Sequence, residues 1–307
     1  MTEEEREEQE DEEEEGGEEK KLNGGTRLSA MGKEFFFAQK RRIASQARIR
    51  VRAEQGLEML GRTILLEQLK QMTKEKVPFP EVIKLVKPVL QDNRMWDEDM
   101  EFLYGKYSDL ETYLAEVLES SMTQRPIWTE WLQYVKGVGL LTAAEVISLF
   151  ESAFKQGEDW RHFGCPSQML AFAGLHTVNG KAPKKARFQK ANFKDDLRSV
   201  LVGRIGPGLL RGRGGYKKIY DAEKARRLNQ YAAQGVKVVE AAKLPLDEKG
   251  KRYEPEGVIS EGHVHNICVR KMVKIFVQHL FQMMYEVELG IPSPRLPYVF
   301  GVLSKWK

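Results

Sequence analysis

Apolar residues recur at helical spacing before and after a short turn that contains two glycines. The apolar positions are Leu132 and Val135 before the turn, and Ala143, Val146 and Ile147 after it. The turn itself is Lys136-Gly137-Val138-Gly139. Spacing of i, i+3 and i+4 on both sides of a glycine pair predicts two helices joined by a tight hairpin within residues 131–150.

The same spacing predicts helices along most of the chain. The first 125 residues show no alternating pattern of apolar and polar residues, so no strands are expected there. Residues 33–76 predict one long helix or two in line, and shorter or longer helices are expected at 82–89, 97–122, 167–175 and 263–289. The expected fold is therefore mainly α, with a helical N-terminal arm followed by a helical domain built around the hairpin. The predicted divisions are an acidic disordered arm (1–27), a helical N-terminal region (28–127), a helix-hairpin-helix domain with basic loops (128–234), a polar loop (235–262), and a C-terminal helix with an extended tail (263–307).

The helix predicted at 97–122 carries an apolar stripe, whose members are Leu103, Tyr107, Leu110, Leu114, Val117 and Leu118. Such a stripe fits packing against a partner helix or a coiled-coil-like arm. A homo-oligomer formed through this helix is one expectation that follows.

Charge is distributed very unevenly along the chain. Residues 1–20 hold thirteen acidic and two basic side chains, a net charge of −11, whereas the whole chain carries +4. Residues 21–307 therefore carry a net +15. A body that basic indicates a polyanionic partner, and nucleic acid is the usual one. The acidic arm is expected to be disordered, either as a solubilising tail or as a shield over the basic surface.

Basic residues are densest between Lys181 and Arg227, where fifteen stand against four acidic ones. Two glycine-rich stretches in this region, at 206–208 and 211–215, are predicted to be flexible loops. The candidate phosphate contacts are Lys181, Lys184, Lys185, Arg187, Lys190, Arg211 and Arg213. Aromatic residues are interleaved with them and would either stack on exposed bases or pack in a core; the core is the favoured reading for Phe193 and Tyr220.

The glycine turn resembles the helix-hairpin-helix motif, which grips a nucleic-acid backbone without reading bases. Glycines there leave backbone amides uncovered at the start of the second helix, where the helix dipole favours phosphate. The residues predicted to bind are Lys136, Gly137, Val138, Gly139 and Thr142. The alternative is an ordinary tight turn between two core helices.

Other sequence features limit where in the cell the protein is expected. No run of about 18 apolar residues predicts a transmembrane helix, and the acidic start is unlike a secretory signal. Two cysteines, Cys165 and Cys268, are too few for a disulfide scaffold. A cytoplasmic, nucleoid-associated protein that does not bind membranes is expected.

A longer resemblance covers about half of the chain, from Trp128 to Tyr285. The motifs that carry it are VKGVGLLTAAEVI, PSQMLAFAGL, the loop NGKAPKK and the late helix GHVHNICVRKMVKIFVQHL. In order and spacing they are similar to the C-terminal domain of the insertion-sequence 110/116/902 transposases. The resemblance implies DNA binding, DNA recombination and transposition of a mobile element.

This chain departs from that family in two respects. The N-terminal RuvC-like domain of these transposases, with its metal-binding carboxylates, has no counterpart in the sequence. The family's serine nucleophile would fall at Asn179, and Asn cannot attack a phosphoryl group. Thr177 is the remaining catalytic candidate, and Mg²⁺ would be the cofactor only of an active enzyme.

The sequence thus supports three hypotheses. The first is a DNA-binding transposase-like protein that holds duplex phosphates, with sequence choice left to a guide RNA or a partner protein. The second is a non-catalytic architectural or accessory DNA-binding protein derived from a transposase. The third is an RNA-binding scaffold. No CxxC pair or Walker loop is present to favour a zinc site or a nucleotide site.

Overall fold

A computed structural model describes residues 24–155, 158–178, 182–184 and 191–295, with side chains from residue 30 onwards. Within these ranges the fold is mainly helical, as predicted. The α-helices are α1 Gly24–Met59, α2 Thr63–Lys74, α3 Phe79–Asp92, α4 Glu98–Thr123, α5 Pro126–Glu130, α6 Leu140–Glu151, α7 Pro166–Phe172, α8 Asp195–Val200, α9 Gly206–Arg211, α10 Gly215–Ala233 and α11 Glu261–Met283. Single 3₁₀ turns occur at Leu132–Tyr134, Trp160–His162 and Ala241–Lys243, and π-helical turns at Leu201–Ile205 and Met284–Glu288.

The N-terminal helices follow the predicted pattern with shifted boundaries. Helix α1 begins at Gly24, so it takes up the last residues of the arm that was predicted to be disordered as far as residue 27. The rest of that arm, residues 1–23, lies outside the described residues. Gly61, with φ +62°, lies between α1 and α2 and confirms two helices rather than one.

The first half of the chain contributes to two hydrophobic clusters. The smaller cluster contains the second half of α1 together with α2 and α3, and its buried residues are Ile49, Ala53, Leu57, Leu69, Phe79, Val82, Val86 and Leu90. The larger cluster begins with Phe35, Phe36 and Ala38 of α1 and extends through α11. The long pair of α1 and α4 joins the two clusters, so the hydrophobic core does not divide at residue 127.

The predicted stripe on α4 is partly buried within the chain. Leu114 and Leu118 are buried in the large cluster, to which the first half of α1 also contributes, whereas Leu103 and Leu110 remain exposed. Side-chain hydrogen bonds from Gln39 and Arg42 of α1 to Glu111 of α4 lock the pair together. The buried part of the stripe therefore packs within the chain, and a homo-oligomer formed through this helix stays a prediction.

Helix α11 is the central element of the large cluster. Twelve of its residues are buried, including Val269, Val273 and Phe276. Ser260 caps its N-terminus by accepting a hydrogen bond from the amide of His263 (3.1 Å). The region predicted as a polar loop at 235–262 contains a short parallel ladder, in which β1 (Lys237–Val239) pairs with β2 (Val258–Ser260) and leads the chain into α11.

Two groups of buried charges connect distant segments. Arg125 lies between Glu151 and Glu288, and Trp160 also donates to Glu151 (3.2 Å). On the other side of α6, Arg204 donates to Glu145 (2.6 Å). Burial raises the pKa of Glu145 to about 7 despite this partner. No helix of the part that the structure describes is long and apolar enough to cross a membrane.

Candidate nucleic-acid interface

The glycine turn predicted to bind phosphate connects a short 3₁₀ turn to α6. The segment before it is α5 followed by Leu132–Tyr134, rather than the continuous helix that the sequence predicted. Val135 is buried and accepts a hydrogen bond from the amide of Val138 (3.0 Å), which closes the turn. Gly137 has φ +95°, a conformation that side-chain-bearing residues rarely adopt.

The side chain of Val138 faces the core and is 7% exposed. Val138 was predicted to bind phosphate, but its side chain packs in the core, so only its backbone is available to a ligand. Lys136, Gly137 and Gly139 are exposed, and Thr142 is half-buried in the first turn of α6.

A second glycine segment packs directly on this turn. A Cβ atom added to Gly137 would lie 2.0 Å from the carbonyl oxygen of Gly208, and one added to Gly208 would lie 2.2 Å from the oxygen of Gly137. A Cβ on Gly212 would lie 2.4 Å from the oxygen of Lys136. The two backbones therefore touch at a distance that only glycine permits.

This contact overturns the prediction that residues 206–208 form a flexible loop. Residues Gly206–Arg211 form α9, and a Cβ on Gly206 would lie 2.7 Å from Val269 of α11. The glycines of this segment allow a helix to approach two neighbours closely. Only residues 212–214 form a turn, and it leads directly into α10.

The packing of the two glycine segments brings together cations that are far apart in sequence. Arg211 and Arg213 flank Gly212, and Gly212 lies against Lys136. All three cations are exposed, and none forms an ion pair with a carboxylate of the described residues. Arg213 has φ +52°, the left-handed conformation more usual for glycine at the end of a helix.

Two helices also begin beside this contact. Helix α6 starts three residues after Gly137, and α10 starts three residues after Gly212. Their N-cap residues are Gly139 and Gly214, neither of which has a side chain to cap the helix, and neither helix has an acidic residue in its first turn.

The amides at the start of α6 are free to bind a ligand. Those of Gly139, Leu140, Leu141 and Thr142 find no acceptor within the described ranges. Uncapped amides and the helix dipole together favour an anion at such a position. The glycine contact therefore presents three exposed cations and uncapped helix starts in one neighbourhood.

The remaining predicted cations divide into two groups. Lys184 is exposed, and it follows the buried Pro183, whose carbonyl accepts a hydrogen bond from Arg198 (2.7 Å). Four others, Lys181, Lys185, Arg187 and Lys190, lie outside the described residues.

The aromatic residues of the basic region that the structure describes are all buried. Phe193 and Tyr220 are buried, as predicted, and Tyr216 is only 1% exposed, with its hydroxyl 2.8 Å from Nδ1 of His279. Burial raises the pKa of Tyr216 well above its usual value. Tyr216 and Tyr220 hold α10 against α11, through His279 and His265, and Phe193 packs beside Gly174, so these three side chains are unavailable to bases.

Thr177, the catalytic candidate, is exposed on the loop after α7. No general base in the described part of the chain forms a hydrogen bond with its hydroxyl group, although nucleophilic catalysis by a hydroxyl needs such a base. Asn179, where the resemblance to the transposases would place their serine, is outside that part. The described residues contain no group of three or more His, Cys, Asp or Glu side chains placed to hold a metal ion. Asp195 and Asp196 are adjacent at the start of α8, and Asp196 forms an ion pair with Lys40 (3.0 Å).

The structure also reveals a set of cations that sequence reasoning missed. Arg270, Lys271 and Lys274 project from α11, and Arg198 of α8 lies close to Arg270. A signal was present in the sequence, because these three basic residues stand at i, i+1 and i+4 within the otherwise apolar stretch 267–277. Their proximity to Arg198 could not be read from the sequence.

Comparison of the chain with protein-family models, with curated protein sequences and with solved structures found no match.

Proposed function

We propose that this protein binds the phosphate backbone of duplex DNA through the surface formed by the two glycine segments. The observation that carries the proposal is the backbone contact between Gly137 and Gly208, which sets Lys136, Arg211 and Arg213 beside the uncapped start of α6. Exposed cations without carboxylate partners and free helix amides are the groups that bind phosphate in proteins. They carry no base-specific information, so binding of this kind is independent of sequence.

Duplex DNA is favoured over single-stranded nucleic acid because Tyr216, Tyr220 and Phe193 are buried. Single-strand binding relies on exposed aromatic side chains for base stacking. The described part of the basic region offers phosphate contacts without such a surface. Together with the net charge of +15 over residues 21–307, this favours electrostatic binding to a regular backbone.

Within this proposal, the protein is transposase-like in its C-terminal half, by resemblance, and acts with a guide RNA or a partner protein that supplies sequence choice. A non-catalytic architectural or accessory role is the second candidate. The observation that favours the second is the exposed Thr177 hydroxyl, which lacks a general base among the described residues. Detecting cleavage or joining of a DNA substrate by the purified chain with Mg²⁺ would decide for the first.

The test of DNA binding is the affinity of the full chain for a blunt 20-base-pair duplex, measured by fluorescence anisotropy between about 50 and 200 mM salt. The variant replaces Lys136, Arg211 and Arg213 together by glutamine. Each lost phosphate contact lowers the slope of log affinity against log salt by about 0.9, so three contacts lower it by roughly 2.7.

The matched control replaces three exposed lysines elsewhere, Lys70, Lys237 and Lys249, by glutamine. It removes the same net charge, and its slope is expected to stay close to that of the wild type. Equal slopes for the two triple variants would show that only the overall charge matters, and would refute the proposed surface. Tighter binding of a hairpin RNA than of the duplex would favour the RNA-binding scaffold.

A further inference from the structure

A second group of cations lies on different elements of the fold from the glycine contact. It consists of Arg198 on α8 and of Arg270 and Lys274 on α11. All three side chains are half-buried. Lys274 and Arg270 are four residues apart, so they occupy the same face of α11.

Two of these cations are held in place by the loop that follows α7. Nη2 of Arg270 donates to the carbonyl oxygens of Gly174 (3.1 Å) and His176 (3.0 Å). Arg198 lies over the ring of Phe193, 5.3 Å from its centroid, and donates to Pro183.

Phe193 and Gly174 connect the two arginines. Gly174 has φ +63°, and a Cβ atom added there would lie 2.3 Å from the ring of Phe193. The guanidinium groups of Arg198 and Arg270 are thus fixed around one loop and one aromatic ring. Their positions are set before any ligand arrives, which is the arrangement expected of a binding site.

The charges in this group oppose each other. Burial, followed by repulsion from Arg198, lowers the pKa of Arg270. Burial, followed by repulsion from Arg270 and Lys271, lowers the pKa of Lys274. No carboxylate in the described ranges pairs with Arg270 or Lys274. Half-buried like charges destabilise the folded state, and a bound anion would remove that cost.

We infer that Arg198, Arg270 and Lys274 form a second anion site, which takes a phosphate group. Guanidinium groups match the geometry of phosphate oxygens, and the ammonium group of Lys274 supplies a point charge beside them. If the phosphate belongs to a nucleic acid, the site adds a contact to the proposed DNA-binding surface. That form of the inference rests on the proposed function. A free phosphate compound is the other source of the same chemistry.

The test uses the full chain and its Lys274→Gln variant, because Lys274 forms no hydrogen bond within the described residues whose loss would disturb the fold. Thermal unfolding is followed in inorganic phosphate and in chloride of equal ionic strength, so that general screening is subtracted. In chloride the variant is expected to be at least as stable as the wild type, because it lacks a repelled cation. In phosphate the wild type gains stability, and the variant needs roughly tenfold more phosphate for the same gain.

The matched control is Lys70→Gln, which removes an exposed lysine of α2, and its response to phosphate is expected to equal that of the wild type. A phosphate response of Lys274→Gln equal to that of the wild type would overturn the inference. So would a loss of stability in chloride, because that result would mean that Lys274 supports the fold.

The source of the phosphate is determined with the 20-base-pair duplex. Weaker duplex binding by Lys274→Gln, by about tenfold, would identify a polynucleotide. Unchanged duplex binding with a weakened phosphate response would support the site and identify a free phosphate compound. The triple variant of Lys136, Arg211 and Arg213 keeps the part of the phosphate response that Lys274→Gln removes, so introducing Lys274→Gln into the triple variant lowers the response further. Failure of the proposed DNA surface can therefore be told apart from failure of this site.

Discussion

Replacing Gly139 by aspartate separates helix stability from phosphate binding. Gly139 is the N-cap of α6, with φ −88° and ψ 158°, an extended conformation open to any residue. No atom lies within 4 Å of the position of an added Cβ. An aspartate therefore fits without strain, and its carboxylate can accept hydrogen bonds from the free amides of the first turn.

The expected change in folding stability is a gain. An aspartate N-cap is better than glycine by a few tenths of a kcal/mol. A negative charge at the positive end of the helix dipole adds about 0.3–1 kcal/mol. The variant should therefore unfold at a higher denaturant concentration than the wild type, with a stability gain of roughly 0.5–1 kcal/mol.

The expected change in DNA affinity is a loss. The carboxylate places a like charge about 4 Å from a phosphate bound at the start of α6. At the dielectric of exposed protein surface this repulsion is about 1–4 kcal/mol, and the lower half of that range is appropriate because Gly139 is exposed. Duplex affinity should therefore fall by roughly 5- to 70-fold.

Gly139→Asn is the matched control because it has the same shape and capping ability without the charge. We expect it to retain duplex affinity within about threefold, while the aspartate variant loses it. Denaturant unfolding and fluorescence anisotropy are measured on all three proteins at one low salt concentration. Equal duplex affinity of the aspartate and asparagine variants would refute a phosphate at the start of α6, and the turn would then be purely structural.

Two further predictions concern the fold around this surface. Gly137→Ala should destabilise the protein by more than about 2 kcal/mol, because the added Cβ would meet the carbonyl oxygen of Gly208 at 2.0 Å and because φ of Gly137 is +95°. The control Gly139→Ala should change stability by less than about 1 kcal/mol. Equal losses of stability in urea unfolding would contradict the packing described. Burial raises the pKa of Glu145 to about 7 in the folded state, so the folded protein binds more protons than the unfolded chain between pH 4.5 and 7. The stability that protonated Glu145 contributes is therefore lost as the pH rises through that window, by at most about 1.4 kcal/mol per pH unit. Glu145→Gln should flatten this part of the stability profile measured by urea unfolding, and an unchanged profile would show that Glu145 is not its source.

The sequence predicted the helices where local periodicity is strong and misjudged segments whose structure depends on distant contacts. Helices α4 and α6 were predicted almost at their observed limits, because apolar spacing is a local signal. Helix α9 was predicted as a loop, because Gly206, Pro207 and Gly208 normally interrupt a helix. The apolar stripe of α4 suggested an oligomer, although Leu114 and Leu118 of this stripe are buried within the same chain.

By itself, the sequence determined the helical class, the acidic N-terminal segment, the basic body and the presence of two glycine segments and their cations. These follow from composition and from spacings of three or four residues, which are properties of neighbouring positions. Only the tertiary structure decided that Gly137 meets Gly208, that Arg211 and Arg213 lie beside Lys136, and that Arg198 approaches Arg270. Those contacts depend on how the helices pack. Helix packing brings together surfaces that are far apart in the chain, and local periodicity carries no information about which surfaces meet.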